Sequence, residues 1–308
     1  MRTVVTGAAG FVGSALVGRL LSQGHDVVAI DNRHNCNAVG GATAHADSAQ
    51  ERLRLIALDT QAPELSGVLA GANPGVVFHL AARTDSRSSI EDPVLDARNN
   101  VLGTVNLCEA CRRAGVPKIV YATTLDAYDV LDTPHAAAKR AGELYLSALA
   151  ARYGIQSISL ALATVYGPRE ICSGADDFVA ALVASMVVGH PYVVPDDVER
   201  PREFVYIDDA VDALIYAGFH DGLTTMTYRV STGDRVPPAT LYELVAAVVH
   251  PGPQSCRNPL QNTDTAPLPT SPDVPDPLPG WAPRVGLLEG LTRTTDWLRE
   301  RRGVEMAG

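Results

Sequence analysis

The chain has 308 residues, 46% of them hydrophobic and 19% charged, which supplies a large buried core and rules out a disordered chain. Lys and Arg total 25 against 35 Asp and Glu, a net charge of −10 with no basic run to relieve it, so neither nucleic acid nor an anionic membrane surface is an expected partner. The longest apolar run, 178–188 with only Ser185 interrupting it, falls well short of the ~20 residues that cross a bilayer.

The first residues, MRTVVTG, lead straight into a β-branched run without an apolar leader or a small-residue cleavage site, and a cytoplasmic location is expected. Up to about residue 165, short β-branched runs alternate with longer segments of helical periodicity. Strands are predicted at 3–6, 26–31, 53–59, 76–81, 118–123 and 156–162. Helices are predicted at 11–23, 93–114 and 133–153, ending near Gly24, Gly115 and Gly154, where a left-handed cap is easy. This alternation predicts an α/β fold, a doubly wound parallel sheet of the Rossmann type over residues 1–165. Beyond Pro168 it breaks down into helices at 177–189, 239–249 and 287–301 with short strands and turns, read as a smaller C-terminal substrate lobe over 166–308. Of the 21 prolines, 10 fall between Pro251 and Pro283, where missing backbone donors predict an irregular covering segment or a mobile loop. Five cysteines, an odd and scattered set, suit reduced thiols. Cys108 and Cys111 form a CxxC with neither a second pair nor a His cluster, so they read as two small helix residues, and no metal is expected.

Directly after the first strand comes Thr6-Gly7-Ala8-Ala9-Gly10-Phe11-Val12-Gly13, opening into a helix. Gly7, Gly10 and Gly13 let the backbone turn sharply and approach a pyrophosphate, while the helix start at Phe11 and Val12 offers N–H donors and a positive dipole end. The second strand ends in Asp31, 24 positions after Gly7, the spacing at which a carboxylate reaches the adenosine ribose hydroxyls. That carboxylate repels a 2′-phosphate and makes NAD(H) the expected cofactor; Arg33, two residues on, keeps NADP(H) open as the alternative.

Several motifs in order then resemble the extended short-chain dehydrogenase/reductase family, of the NAD-dependent epimerase/dehydratase type: TGAAGFVG, Asp31-Asn32, Asp59 after the third strand, His79-Leu80-Ala81-Ala82-Arg83 and Glu91-Asp92-Pro93. Further on come Asn99-Asn100-Val101-Leu102-Gly103-Thr104, Val165-Tyr166-Gly167-Pro168, Arg202 to Asp209 and Gly280-Trp281-Ala282-Pro283. The resemblance implies that Asp59 and Thr60 lie near the adenine, that Leu80, Ala81, Ala82 and Arg83 flank the phosphates and ribose, and that Asn99 supports the cofactor loop. Members of this family work with a Ser/Thr that holds the carbonyl oxygen, a Tyr that passes the proton, and a Lys four residues later that binds the nicotinamide ribose and lowers the tyrosine pKa. Thr124 and Lys139 fall on the first and last of these positions, with Glu143 also in frame.

Where the tyrosine should be there is His135, only 11 positions after Thr124, so the proton donor and the active-site loop both depart from the family pattern. Three readings stay open: His135 donates the proton; Thr124 and Lys139 position the reactants while water or a substrate hydroxyl donates it; or the protein binds NAD without chemistry. Tyr128 is a further stand-in donor. Arg202 matches one family arginine for a substrate diphosphate, but Thr164 replaces a common Asn and the later Arg-x-Gly-Asp run is unrecognisable at Cys256-Arg257-Asn258-Pro259-Leu260. Charges taken out of water need partners, and this counts against a sugar nucleotide. The expected activity is therefore an NAD(P)H-dependent ketoreductase acting on a small-molecule ketone of a polycyclic aromatic polyketide, similar to the angucyclinone ketoreductases of antibiotic pathways such as simocyclinone biosynthesis. The alternatives are a sugar-nucleotide epimerase/dehydratase and a non-catalytic NAD-binding protein, as monomer or homodimer.

Overall fold

Val4 and Val5 are neighbours in one strand and both fully buried, which happens only where helices cover both faces of a sheet; for that reason the strand reads as a continuous apolar run rather than an alternation. The computed structural model describes residues 1–32, 51–129, 133–170, 178–189, 200–224, 226–250 and 274–307. In chain order the elements are β1 (Arg2–Thr6), α1 (Phe11–Ser22), β2 (Asp26–Asp31), β3 (Leu53–Ala57), α2 (Leu65–Ala72), β4 (Val76–His79), α3 (Ser86–Glu91) and α4 (Pro93–Ala97). A π-helical turn (Arg98–Leu102) leads into α5 (Gly103–Ala114), followed by β5 (Lys118–Thr124), α6 (Asp126–Asp129), α7 (Pro134–Tyr153), β6 (Gln156–Leu162), β7 (Thr164–Tyr166) and α8 (Phe178–Val187). The chain continues through β8 (Arg202–Tyr206), α9 (Ile207–Phe219), β9 (Thr227–Val230), β10 (Arg235–Val236), α10 (Pro238–Val249) and α11 (Leu287–Ala307).

Seven strands make one parallel sheet in the order β3-β2-β1-β4-β5-β6-β9, and β10-β8-β7 form a second small sheet. The period-two alternation of strand side chains sends Val5, Val27, Ala29, Phe78 and Val120 to one face, against Leu16, Val17 and Leu20 of α1 and Ala213, Leu214 and Ala217 of α9. The opposite face takes Val4, Val28, Ile30, Val77, Ile119 and Tyr121, against Leu65 and Leu69 of α2, Leu107 and Cys111 of α5 and Leu146 of α7. Cys108 and Cys111 are thus core residues, and burial pushes both thiols well up, Cys108 to about 12. The chain reverses its winding between β1 and β4, which opens a crevice at the carboxyl ends of the strands.

The doubly wound fold expected from the sequence is present, with differences of detail. The helix expected over 93–114 is three segments, and its π turn places Asn100 toward the loop after β4 and Asn99 toward the loop after β3. Helices α2, α3 and α9 carry no clear signal in the sequence: α2 holds two glycines in eight residues, α3 is mostly polar, and α9 follows β8 without an intervening turn. The seventh strand of the main sheet, β9, comes from beyond residue 165. Asp177, Cys36, Cys172, Cys256 and most of the proline-rich stretch 251–283 lie outside the described residues; Pro277, inside them, bridges to Arg229.

One buried histidine ties β1 and β4 to α5. Thr6 Oγ1 lies 2.8 Å from His79 Nδ1, and His79 Nε2 lies 3.0 Å from Thr104 Oγ1, whose own hydroxyl donates to the Asn100 carbonyl at 2.7 Å. Because the Thr104 proton is already engaged, Nε2 is the donor and Nδ1 the acceptor, so the ring is neutral. Burial, helped by the nearby Lys139 charge, pulls its pKa down to about 3. The unfolded chain takes up this proton near pH 6.5 and the folded one does not, so stability falls as pH drops from 6.5 towards 3, this group contributing about 1.4 kcal/mol per pH unit. Urea unfolding across that range should therefore show the stability gap between wild type and His79→Gln narrowing towards acid. In α7, a methyl group at Gly142 would stand 2.7 Å from the Tyr121 hydroxyl, so Gly142→Ala should cost about 1–3 kcal/mol and lower Tm in a thermal melt.

Candidate active site

The glycine loop sits where two backbones meet more closely than side chains allow. Gly7 has φ +69°, and a Cβ there would lie 2.7 Å from the Ala81 nitrogen; a Cβ on Gly13 would lie 2.0 Å from the Gly7 carbonyl oxygen. Gly10 caps α1 with no side-chain bond, which leaves the first amides of the helix, at Phe11, Val12 and Gly13, turned to the crevice. The Ala9 N–H donates to Asp31 Oδ2 at 2.9 Å, so the carboxylate closing β2 is held against the loop. This backbone cradle, which any Cβ would fill, together with a ribose-height carboxylate, fits a dinucleotide.

One cleft of about 1140 Å³ gathers Gly7, Gly10, Phe11, Val12, Gly13, Asp31, Asn32, Asp59, Thr60, Leu80, Ala81, Ala82, Arg83, Asn99, Thr124, His135 and Lys139 along the strand ends. Arg33 lies outside the described residues. At one end Asn32 Nδ2 donates to Asp59 Oδ2 at 2.8 Å, and Asp59 Oδ1 accepts the Gln61 N–H at 2.8 Å. Asn99 accepts from Gln61 Nε2 at 3.3 Å and donates to the Leu95 carbonyl at 2.8 Å, which ties the π turn to the loop after β3. Asn100 clamps the loop after β4 from both sides: its Oδ1 accepts the Arg83 N–H at 2.8 Å, and its Nδ2 donates to the Arg83 carbonyl at 2.9 Å.

At the other end stand Thr124, His135 and Lys139. Thr124 closes β5, half-buried, its Oγ1 accepting the Asp126 N–H at 3.3 Å. Thr133 caps α7 by accepting the Ala136 N–H at 3.2 Å, and with Pro134 starting the helix, His135 and Lys139 fall one turn apart on the face towards the cleft. Lys139 is buried; its Nζ donates to the Ala122 carbonyl at 2.9 Å and sits 5.0 Å from the centre of the Tyr121 ring. Desolvation pulls this ammonium down to about 8 against the pull of Asp96 and Glu143, which favour the charge. His135 is also buried, its Nδ1 3.3 Å from Asn100 Nδ2 and 3.9 Å from Asp96 Oδ1.

Tyr128 does not reach this cleft. Its hydroxyl donates to Glu143 Oε2, burial raises the phenol pKa, and it lines a separate shallow hollow with Arg140 and Glu143, so it is no stand-in donor here. Glu143 is the hub of that region, also accepting from Thr123 at 2.6 Å and Thr227 at 3.1 Å. Beyond Thr124 the cleft continues past Thr164 to Arg169 and Arg202. Arg169, with φ +71° in the turn after Gly167, was not singled out by the sequence, where its only signal is its place directly behind Val165-Tyr166-Gly167-Pro168. Asp96 went unnoticed because nothing in its spacing marks it apart from the exposed residues of α4, yet it is buried.

Comparison with known proteins bears on what the cleft serves. The family model described as the NAD dependent epimerase/dehydratase family matches residues 3–229. The UDP-glucose 4-epimerase of Mycolicibacterium smegmatis is 34% identical, the match covering 98% of this chain and 99% of that protein. The structure of Thermus thermophilus UDP-glucose 4-epimerase in complex with NAD is 31% identical with TM-score 0.79, covering 97% of this chain and 99% of that one. The UDP-glucose 4-epimerase of Thermotoga maritima, solved with UDP-glucose, is 27% identical with TM-score 0.80 over 98% of this chain and 100% of that one. These findings overturn the expected polyketide ketoreductase: the relatives are epimerases of UDP-sugars, and nothing among them supports an angucyclinone or simocyclinone enzyme. The departure expected at His135 and in the loop before it concerns too small a part of the chain to define a substrate class. No helix among the described residues is long and apolar enough to cross a membrane. With its glycine cradle, its Asp31 carboxylate and a match over most of its length, the chain belongs to the NAD dependent epimerase/dehydratase family, whose cofactor is NAD(H).

Proposed function

We propose that the protein is a NAD-dependent 4-epimerase of UDP-sugars. The observation that carries this reading is the match to a UDP-glucose 4-epimerase at 34% identity over 98% of this chain and 99% of that one. NAD, when bound, accepts a hydride from a sugar carbinol and gives it back, so that a stereocentre can be inverted without net oxidation. The residues suited to hold it are the glycine loop with the start of α1 for the pyrophosphate, Asp31 for the adenosine ribose, Asp59 and Thr60 for the adenine end, and Leu80 to Arg83 with Asn99 along the opposite wall.

The remaining groups act on the sugar nucleotide. Thr124 holds the reacting oxygen at the end of β5, and His135 takes its proton and returns it. Lys139 anchors the nicotinamide ribose and keeps positive charge beside the developing carbonyl. Arg202, matched in the sequence to a diphosphate arginine, and Arg169, which the sequence did not mark, both line the cleft where it continues, and their guanidinium groups are suited to a diphosphate. The 256–260 segment lies outside the described residues and takes no part in the reading.

The purified protein supplied with NAD should interconvert UDP-glucose and UDP-galactose, followed by a coupled dehydrogenase assay; inactivity towards every UDP-hexose and UDP-hexuronate would reject the proposal. Lys139→Met should lower kcat at least about 100-fold. Arg202→Met should raise KM with kcat little changed, as expected of binding felt equally in ground and transition states. Gly7→Ala, which forces a methyl group into the Ala81 backbone, should lose NAD affinity by fluorescence titration.

A further inference from the structure

We propose that Asp96 is a positioning residue which fixes the ring tautomer of His135, holding a hydrogen on Nδ1 and leaving the Nε2 lone pair open to the cleft. The inference rests on the epimerase reading only for the reaction that the pair serves. It starts from a count of hydrogens. The Asn100 amide is oriented by the Arg83 N–H, which its Oδ1 accepts at 2.8 Å, so Nδ2 has two hydrogens to give. Three acceptors surround it: Asp96 Oδ1 at 2.7 Å, the Arg83 carbonyl at 2.9 Å and His135 Nδ1 at 3.3 Å. The two shorter bonds use both hydrogens, and Nδ1 receives none.

A buried imidazole nitrogen without a donor is better off carrying its own hydrogen, and the acceptor facing it is Asp96 Oδ1 at 3.9 Å. That distance is a charge contact rather than a hydrogen bond. The carboxylate has reason to accept: Asp96 is 1% exposed, and its Oδ2 has no partner among the described residues. On the other side of the ring, Nε2 has no hydrogen-bond partner among the described residues, in a side chain that lines the cleft.

With this tautomer Nε2 is a base. As the hydride leaves the sugar carbon for oxidised NAD, the hydroxyl proton passes to Nε2, the carbon–oxygen bond becomes a carbonyl, and the imidazolium charge faces the Asp96 carboxylate. The return step delivers the hydride to the opposite face of the carbonyl carbon and the proton from Nε2 to its oxygen. With the opposite tautomer Nε2 would already carry a hydrogen and could not accept the first proton.

The test is nitrogen NMR of the NAD-loaded protein labelled with ¹⁵N-histidine, the His135 signals being those lost in His135→Tyr. Wild type should show the Nδ1–H tautomer near pH 8, and Asp96→Asn should show Nε2–H, because the new amide donates to Nδ1. An Nε2–H ring in wild type, or a tautomer indifferent to Asp96→Asn, overturns the proposal. In turnover of UDP-galactose, Asp96→Asn should cut kcat about 100-fold or more with KM within about 3-fold. In the His135→Tyr background the same substitution should change kcat less than about 3-fold, since a phenol has no tautomer to set. An equal loss in both backgrounds would assign Asp96 to the loop or to Lys139 instead and reject the proposal. The wild-type spectrum needs neither a variant nor a substrate, so a failure of the epimerase reading and a failure of this one are told apart.

Discussion

The site depends on one close approach: the loop between β1 and α1 lies so near the end of β4 that no Cβ fits between Gly7 and Ala81 or between Gly13 and Gly7. That contact brings the start of α1 down onto the crevice between β1 and β4 and turns its uncapped amides towards it, an arrangement suited to an anion. The neutral His79 beneath it, bonded to Thr6 on one side and Thr104 on the other, fixes β1, β4 and α5 against one another without bringing charge into the core. The wall formed by Leu80 to Arg83 is then held by Asn100 from the π turn, so the cofactor half of the cleft is backbone geometry secured by a few buried polar side chains.

The half of the cleft around Lys139 is organised by charge. Lys139 is desolvated enough to weaken its ammonium, yet it is held by the Ala122 carbonyl, the Tyr121 ring face, and the fields of Asp96 and Glu143. Glu143 is fully engaged with Thr123, Tyr128 and Thr227, which makes it a rigid anchor for α7 rather than a reacting group. Asp96 differs: one of its oxygens has no partner among the described residues, and its neighbour is His135. A phenol needs only a nearby cation to lower its pKa, whereas an imidazole must present the correct nitrogen, so a buried carboxylate beside it has a purpose that tyrosine would not require.

The relation to UDP-sugar 4-epimerases also shows how local departures mislead. A histidine read at the tyrosine position, a loop read as short and an arginine motif read as absent pointed away from nucleotide sugars, but they occupy a small fraction of a chain that matches such enzymes over 98% of its length. The argument from an unpaired diphosphate assumed that its partners must lie in recognisable motifs. Arg169 enters the cleft through a left-handed backbone position in a turn, a conformation that no spacing rule anticipates for arginine.

By itself the sequence determined the parallel sheet, the glycine cradle and the places of Asp31, Thr124 and Lys139, because each is local: a β-branched run, a turn that only glycine makes, a residue closing a strand or one helical turn from another. The same locality drew attention to His135, one helical turn before Lys139. Only the tertiary structure decided what surrounds it. Asp96 of α4 and Asn100 of the π turn are brought to His135 at the start of α7, and the two hydrogens of Asn100 go to acceptors from residues 96 and 83. β9 likewise joins the main sheet from beyond residue 165, since strand order comes from helix crossovers and the burial of both sheet faces rather than from any strand's own pattern.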